Sequence, residues 1–415
     1  MQKTNLKIAL SHPSGNPNVK GVLMGLQNNN LLHSFNTSIA CFPNSSLEKL
    51  AKLPLFKDFK RRSFDTNIRQ QTHTYPYKEL GRLLSQKLKF NRLLTHETSV
   101  FSTDKCCQYI DNKVAGYIQG HNDISGIYAY EDCAISQFNV AKQRGIKCIY
   151  DLPISYWKYG TQLMKEEALR LPEWAITLGG GINDSDEKHE RKVRELESAD
   201  IVVCASRFVK ESLPEWARNK PVIQVPFGTP GEMNTGLKYV SEEKPLRLLF
   251  VGSMGQRKGL GDLFNAIKIV NTKNIELVVL GSLLAPIEFY KKQLTNFTYE
   301  PVRPHNQVLE LMRTCDIFCL PSIAEGRALV MQEAMSQGLP IIITPNTGGE
   351  DLVVENETGF LVPIRSPFAI AEKINWFLEN RKQIAAMGEK AKQHTSYYTW
   401  EKYGNSIAKK LQEYL

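Results

Sequence analysis

The stretch Ile317-Phe-Cys-Leu-Pro-Ser-Ile-Ala-Glu-Gly-Arg-Ala-Leu-Val-Met-Gln-Glu-Ala-Met-Ser-Gln-Gly338 holds one strand, one turn and one helix in 22 residues. Ile317–Leu320 is a short apolar run that reads as a strand. Glu325 and Gly326 sit in the turn after it. Leu329–Gln337 has helical spacing, and Leu329, Val330, Ala334 and Met335 make that helix mostly buried. The same strand-then-helix unit recurs along the chain. In the second half the expected strands are Leu246–Val251, Ile275–Leu280, Ile317–Leu320, Pro340–Thr344 and Phe360–Val362, with helices at Leu260–Val270 and Gln307–Arg313. In the first half they are Leu6–Leu10, Thr37–Cys41, Gly126–Tyr130, Lys147–Tyr150 and Ile201–Cys204, with helices at Val19–Leu32 and Cys133–Arg144. Alternating β and α elements imply parallel sheets covered by helices on both faces. Two such runs predict two doubly wound, Rossmann-like α/β domains.

The chain length of 415 residues suits that division. The expected domains are 1–225 and 226–396, followed by a C-terminal helix at 397–415. The junction falls in Val225–Lys244, which contains Pro226, Gly228, Pro230 and Gly231. Apolar residues make up 42% and charged residues 23%, which excludes a disordered or collagen-like chain. No apolar run approaches the ~20 residues needed to cross a bilayer. The apolar core of the first eleven residues is too short for an export signal, so a cytoplasmic protein is expected. The eight cysteines form no C-x-x-C pair and read as reduced and mostly buried, with no zinc site.

The net charge is +9, and Lys57–Arg92, with ten basic and three acidic residues, supplies most of the excess. A patch of this kind suits nucleic acid, an anionic lipid surface or an anionic substrate. Within it, Leu80, Leu83, Leu84 and Leu88 have the spacing of one helix face. They are expected to pack on the N-terminal sheet, leaving the charges in water.

Candidate chemistry sits in turns after strands. Val251-Gly-Ser-Met-Gly-Gln-Arg-Lys-Gly259 has glycines at 252, 255 and 259 for close backbone approach, and Arg257 and Lys258 to meet a diphosphate. The turn with Gly326 opens a helix that presents N–H groups to an anion. Glu333, farther along that helix, suits a vicinal diol such as ribose, and as a charge on a mostly buried helix it requires a polar partner. Thr344-Pro-Asn-Thr-Gly-Gly-Glu350 is a further strand-to-helix turn. In the first half, His12-Pro-Ser-Gly-Asn-Pro-Asn18 lies at the carboxyl end of a strand, where doubly wound folds bind ligands. Asp184-Ser-Asp186 has the form of a D-x-D metal motif, but it also starts a charged helix, where Asp serves as a cap. His73 and His96 suggest no metal.

Together these motifs resemble the family-4 glycosyltransferases, the "glycosyl transferases group 1" class with the GT-B fold. The resemblance is carried by Glu325-x7-Glu333 within Pro-Ser-x-x-Glu-Gly and Glu-Ala-Met-x-x-Gly-Leu-Pro. It continues in Gly348-Gly349, Glu357-Thr-Gly-Phe-Leu-Val-Pro363, Phe250-Val-Gly-Ser and Arg257-Lys-Gly. It reaches the first half in Glu197-Ser-Ala-Asp-Ile-Val-Val-Cys-Ala-Ser206 and Val225-Pro-Phe-Gly228.

The resemblance implies two domains facing across a cleft and a retaining transfer of a hexose from a nucleotide sugar, UDP- or GDP-linked, with no metal and no cofactor. Glu333 would hold the ribose, and Glu325 would touch the transferred sugar. Gly252, Ser253, Gly326, Arg327, Ala328 and Leu329 would line the donor site. Lys258 would neutralise the departing diphosphate, with Arg257 substituting for the family's Arg, whose place Ser253 takes. Base contacts are expected around Val302–Asn306. The acceptor would lie on the first domain, near Gly15, Asn16 and Asn18. The family's first-domain His is missing, and Asp151 and Tyr156 are the nearest polar residues. A lipid-linked or surface-polysaccharide acceptor is expected, at the inner membrane face through an anionic surface. The alternatives are a sugar-phosphate or sucrose-type synthase with a soluble acceptor, or a nucleic-acid-binding protein using residues 57–92. No nucleic-acid partner is expected, since no recognisable motif for one is present.

Overall fold

The structure is a computed structural model that describes residues 6–52, 54–179, 183–229, 236 and 243–415. The first sheet contains β1 (Ile8–Ser11), β2 (Leu32–Thr37), β3 (Thr72–Thr74), β4 (Gly126–Tyr130), β5 (Lys147–Leu152), β6 (Ile201–Cys204) and β7 (Val222–Gln224). The second contains β8 (Leu246–Val251), β9 (Ile275–Leu280), β10 (Thr298–Glu300), β11 (Ile317–Leu320), β12 (Ile341–Ile343) and β13 (Gly359–Leu361). The orders are β3-β2-β1-β4-β5-β6-β7 and β10-β9-β8-β11-β12-β13. All pairings are parallel. Strands such as Leu-Arg-Leu-Leu-Phe-Val and Ile-Phe-Cys-Leu are nearly all apolar because helices cover both faces.

Both sheets reverse direction in the same place. The first strand of each lies beside the fourth, β1 against β4 and β8 against β11. Ligands of doubly wound sheets bind outside the carboxyl ends at this switch point. In the second domain that point is Gly252–Gly259 and Pro321–Gly326. In the first it is His12–Asn18 and Glu131–Asp132.

Three expectations are corrected. Thr37–Cys41 is not a strand; the strand is Leu32–Thr37. The preceding helix ends at Asn28 rather than Leu32, because Asn30 takes a left-handed φ of 56° and turns the chain into the sheet early. The leucine stripe of the basic segment does not pack wholly on the sheet. Leu83 is buried in a small cluster with Ile39, Cys41 and Phe59, and Leu80 packs against it. Leu84 and Leu88 face outward, Leu88 with 60% exposure. Most of the expected junction Val225–Lys244 lies outside the described residues, as do Gly180 and Gly181.

The chain crosses between the domains more than once. Trp174, from the first half, is buried in the second domain's core. The last helix, Trp400–Tyr414, returns to the first domain and buries Tyr403, Ile407, Ala408 and Leu411 with Leu10, Val22 and Leu26. It packs on the helix Pro17–Asn28 at backbone distance. A Cβ on Gly404 would stand 1.9 Å from the Gly21 carbonyl oxygen, and one on Gly25 would stand 2.0 Å from that of Gly404. Gly404→Val is therefore expected to cost about 1–3 kcal/mol through overpacking. Urea unfolding measures this, and an unchanged midpoint would contradict so close a contact. All eight cysteines are buried free thiols. Among the described residues no helix is long and apolar enough to cross a membrane.

Candidate active site

The loop after β8 is held from below. Gly259 takes a φ of 72°, and a Cβ there would lie 2.0 Å from the Pro321 carbonyl oxygen, so only glycine fits. Gln256 is fully buried. Its N–H donates to Thr177 Oγ1 (3.0 Å), and its Nε2 donates to Glu167 Oε2 (2.7 Å) and Asp262 Oδ2 (2.8 Å). Glu167 and Asp262 also take the Arg170 guanidinium, and Glu167 takes Arg365 Nε at 2.5 Å. This buried ionic network fixes the two residues after Gln256, which are Arg257 and Lys258.

Those cations converge on Glu325. Lys258 Nζ lies 2.6 Å and Arg257 Nη1 2.9 Å from Glu325 Oε1, and Arg257 also donates to the Ala324 carbonyl at 2.9 Å. Glu325 is only 8% exposed. Burial pushes its carboxyl up, but Lys258 and Arg257 outweigh that and hold it below the usual range. Gly252 lies beside the Lys258 stem, where a Cβ on it would be 2.5 Å from Lys258 Cδ, and Ser253 follows it in the same turn.

Gly326 joins the two domains. A Cβ there would be 1.7 Å from the Pro153 carbonyl oxygen, and Ser206 Oγ donates to the Gly326 carbonyl at 2.6 Å. Gly348, with a φ of 72°, packs equally close to Gly326. The Arg327 side chain is committed elsewhere, to Asp351 (2.6 Å) and the Gly348 carbonyl (2.9 Å). Only its backbone is left for a ligand. Ala328 is extended, and the helix Leu329–Ser336 begins after it with no side-chain cap and no acid in its first turn. An uncapped, acid-free helix start favours an anion.

Glu333 has the polar partner its burial calls for. His305 Nε2 is 3.0 Å from its Oε1. Burial raises the Glu333 carboxyl, and His305 opposes the rise. His305 opens the helix after β10, within the stretch expected to meet the base, but 28 residues of separation left the pairing invisible in the sequence.

The first-domain candidates divide. Asp151 is buried, accepts from the Tyr128 hydroxyl at 2.5 Å, and burial lifts its carboxyl to about 7. Tyr156 is buried too, and its N–H donates to Ser212 Oγ at 2.8 Å. Neither lines the cavity of about 110 Å³ between the domains. That cavity is lined by Glu131, Trp157, Asp184 and Lys192 from the first half and Arg257 and Ala324 from the second. Sequence reasoning missed Glu131. Burial lifts its carboxyl to about 7 against the pull of Lys192, 3.6 Å away. Its signal was an acidic pair, Glu131-Asp132, directly after a buried strand at the switch point.

Gly15 and Asn16 line another cavity, of about 600 Å³, while Asn18 is half-buried on the next helix. His12 accepts from the Ser14 N–H at 2.9 Å and packs edge-on against Tyr130. Burial lowers it to about 3, so it stays neutral at ordinary pH. The helix cap expected of Asp184 is instead Ser185, whose hydroxyl accepts from the Lys188 N–H. Asp184 turns to His96 (2.8 Å), and His96, Glu97 and Asp184 cluster closely. Lys188, 3.2 Å from Asp184 and 2.9 Å from Asp104, supplies the countercharge.

Residues 237–394 match the profile of the family described as "Glycosyl transferases group 1". An uncharacterised glycosyltransferase of Methanocaldococcus jannaschii is 27% identical over 218 residues, 52% of this chain and 60% of that protein. The capsular polysaccharide biosynthesis glycosyltransferase CapM of Staphylococcus aureus is 30% identical over 178 residues, 39% of this chain and 47% of CapM. The matches span less than two thirds of either relative. Among solved structures, Anabaena HepE in complex with UDP aligns with a TM-score of 0.60 at 15% identity, covering 98% of this chain and 100% of that one. The shared architecture is the GT-B fold.

Proposed function

We propose, from the premise that this chain carries a glycosyl transferases group 1 domain, that it moves a hexose from a nucleotide sugar to a lipid-linked or surface-polysaccharide acceptor with retention. One observation carries the reading: Lys258, Arg257 and Glu325 meet at the switch point, beside an uncapped helix start whose helix bears Glu333. Breaking the bond to a nucleotide leaves two negative charges on the diphosphate. Lys258 Nζ, Arg257 and the helix N–H groups stabilise them in a site largely closed to water. Glu325 gathers the two cations on its Oε1 and presents its remaining oxygen to the sugar. Glu333, steadied by His305, takes the ribose hydroxyls. UDP and GDP are the favoured carriers. HepE, solved with UDP, supports the first.

Glu333→Gln is expected to weaken binding of the cognate nucleotide sugar by about 1.5–3 kcal/mol, the worth of a charged hydrogen bond, and to leave turnover at saturation nearly unchanged. Calorimetric titration and steady-state kinetics read the two effects. Unaltered affinity would remove Glu333 from the donor site.

The acceptor reading rests on the first domain's outward face. Leu84, Leu88, Phe90 and Leu93 are exposed next to Lys89 and Arg92. An apolar ridge flanked by cations suits an anionic lipid surface. CapM, by name a capsular polysaccharide biosynthesis glycosyltransferase, supports a surface-polysaccharide acceptor. Vesicle sedimentation is expected to show binding that needs anionic lipid and weakens with salt. Changing Lys89 and Arg92 to Ser should cost about 2 kcal/mol. Equal binding to neutral vesicles, or none to anionic ones, would leave a soluble acceptor as the better account.

A further inference from the structure

The cavity of about 600 Å³ in the first domain has an unusual charge balance. It opens at the start of the helix Pro17–Asn28, where Asn16 makes no side-chain cap and the first turn holds no acid. Lys20, Arg61, Arg62 and Arg82 line it, with Asp58 as the one acidic lining residue. Arg62 and Arg82 both bond to a single carboxylate, Glu79, behind the wall. Asp58 lies 3.5 Å from Lys87, so it already answers a cation of its own. Among the described residues no carboxylate stands within ion-pair distance of Lys20 or Arg61. Lys20 is half-buried, and burial lowers its ammonium below the usual range with no acid to restore it. Arg62 is 6% exposed, and its buried Nε has no hydrogen-bond partner. Counting Asp58 and Glu79 in full, the cavity keeps an excess of two positive charges.

We propose that this cavity is a binding site for a phosphate or diphosphate group carried by the acceptor. The inference rests on the transferase reading and adds the acceptor's chemical class. A phosphate monoester carries about −1.5 to −2 at pH 7, which matches the excess; a carboxylate would cancel half of it. Arginine forks and helix N–H groups are the donors suited to its oxygens. A second hollow of about 400 Å³ shares Lys20 with the first and is lined by Leu23, Met24, Phe64 and Ile68 together with Asp65, Glu401 and four uncharged polar residues. A phosphate in the first cavity thus has a partly apolar hollow beside it.

The test is pyrophosphate binding to the full chain by equilibrium dialysis, in the wild type and in Lys20→Gln/Arg61→Gln, each with and without saturating UDP or GDP. Lys20 and Arg61 are chosen because neither holds a buried acid, whereas Arg62 and Arg82 neutralise Glu79 and their loss would disturb folding. The wild type is expected to bind two equivalents. The double variant should lose one of them, with affinity at that site weakened about tenfold or more, and saturating UDP or GDP should displace the other. A double variant that binds like the wild type overturns the proposal. Wild-type pyrophosphate binding that neither nucleotide displaces overturns the donor assignment instead. Vesicles of phosphatidic acid and of phosphatidylglycerol at equal charge separate the sources. A preference for phosphatidic acid that the double variant abolishes marks a lipid phosphate, and its absence alongside pyrophosphate binding marks a soluble one.

Discussion

Lys258→Ala is expected to lower turnover about 100-fold while changing nucleotide-sugar affinity far less. Charge on the diphosphate grows as the glycosidic bond breaks, so a fixed cation acts mainly in the transition state. Removing one such donor from a preorganised site typically costs about 100- to 1,000-fold. The lower end applies here because Arg257 Nη1 stays 2.9 Å from the same carboxylate. Arg257 also keeps Glu325 paired, so the variant should fold. Thermal unfolding checks that point, and initial rates at saturating donor check the main one. Loss of affinity with unchanged turnover would mean that Lys258 binds ground state and transition state alike.

Glu167→Ala is expected to destabilise the protein by about 3–5 kcal/mol, the usual cost of breaking a buried charge network. The carboxylate is fully buried and takes Arg170, Gln256 and Arg365. Without it Arg170 keeps Asp262, but Gln256 loses one of the two acceptors that fix the loop after β8. Chemical denaturation reads the loss, and turnover at permissive temperature should fall as well. Burial raises this carboxyl, but its three partners outweigh that and lower it overall. The group's contribution is therefore present above its unfolded value of about 4.3 and lost as pH falls through the lower folded value. The wild type should show that acid-side loss and the variant should not. A variant as stable as the wild type would show that the network is not what holds the loop.

The second domain was the more legible half. Leu246–Val251, Ile275–Leu280 and Ile317–Leu320 are strands at the expected bounds, because each is an apolar run, broken by at most one charged residue and ended by a turn. Thr72–Thr74, Val222–Gln224 and Thr298–Glu300 were missed. Each is a three-residue edge strand of largely polar or mixed composition. The requirement that Glu333 find a polar partner followed from its buried helix, but the partner's identity did not. Glu167 and Gln256 are 89 residues apart, and no local pattern links them. The docking of the last helix had a signal that went unread. Gly21 and Gly25, four residues apart, leave one helix face bare of side chains, and that is where Gly404 sits. Asp151 was chosen as a polar residue at a strand end, but strand direction turns its side chain inward to Tyr128, while Glu131 reaches the cleft.

The central claim is that the second domain holds a nucleotide sugar through Lys258, Arg257, Glu325 and Glu333. The most direct measurement is thermal unfolding of the full chain against UDP-, GDP- and ADP-sugars, with released nucleoside diphosphate assayed in the same samples. The account predicts that one nucleotide class raises the melting temperature and is slowly hydrolysed, that Glu333→Gln loses the shift, and that Lys258→Ala keeps most of it but loses hydrolysis. No shift and no release with any of the three, or an equal shift in Glu333→Gln, would contradict it.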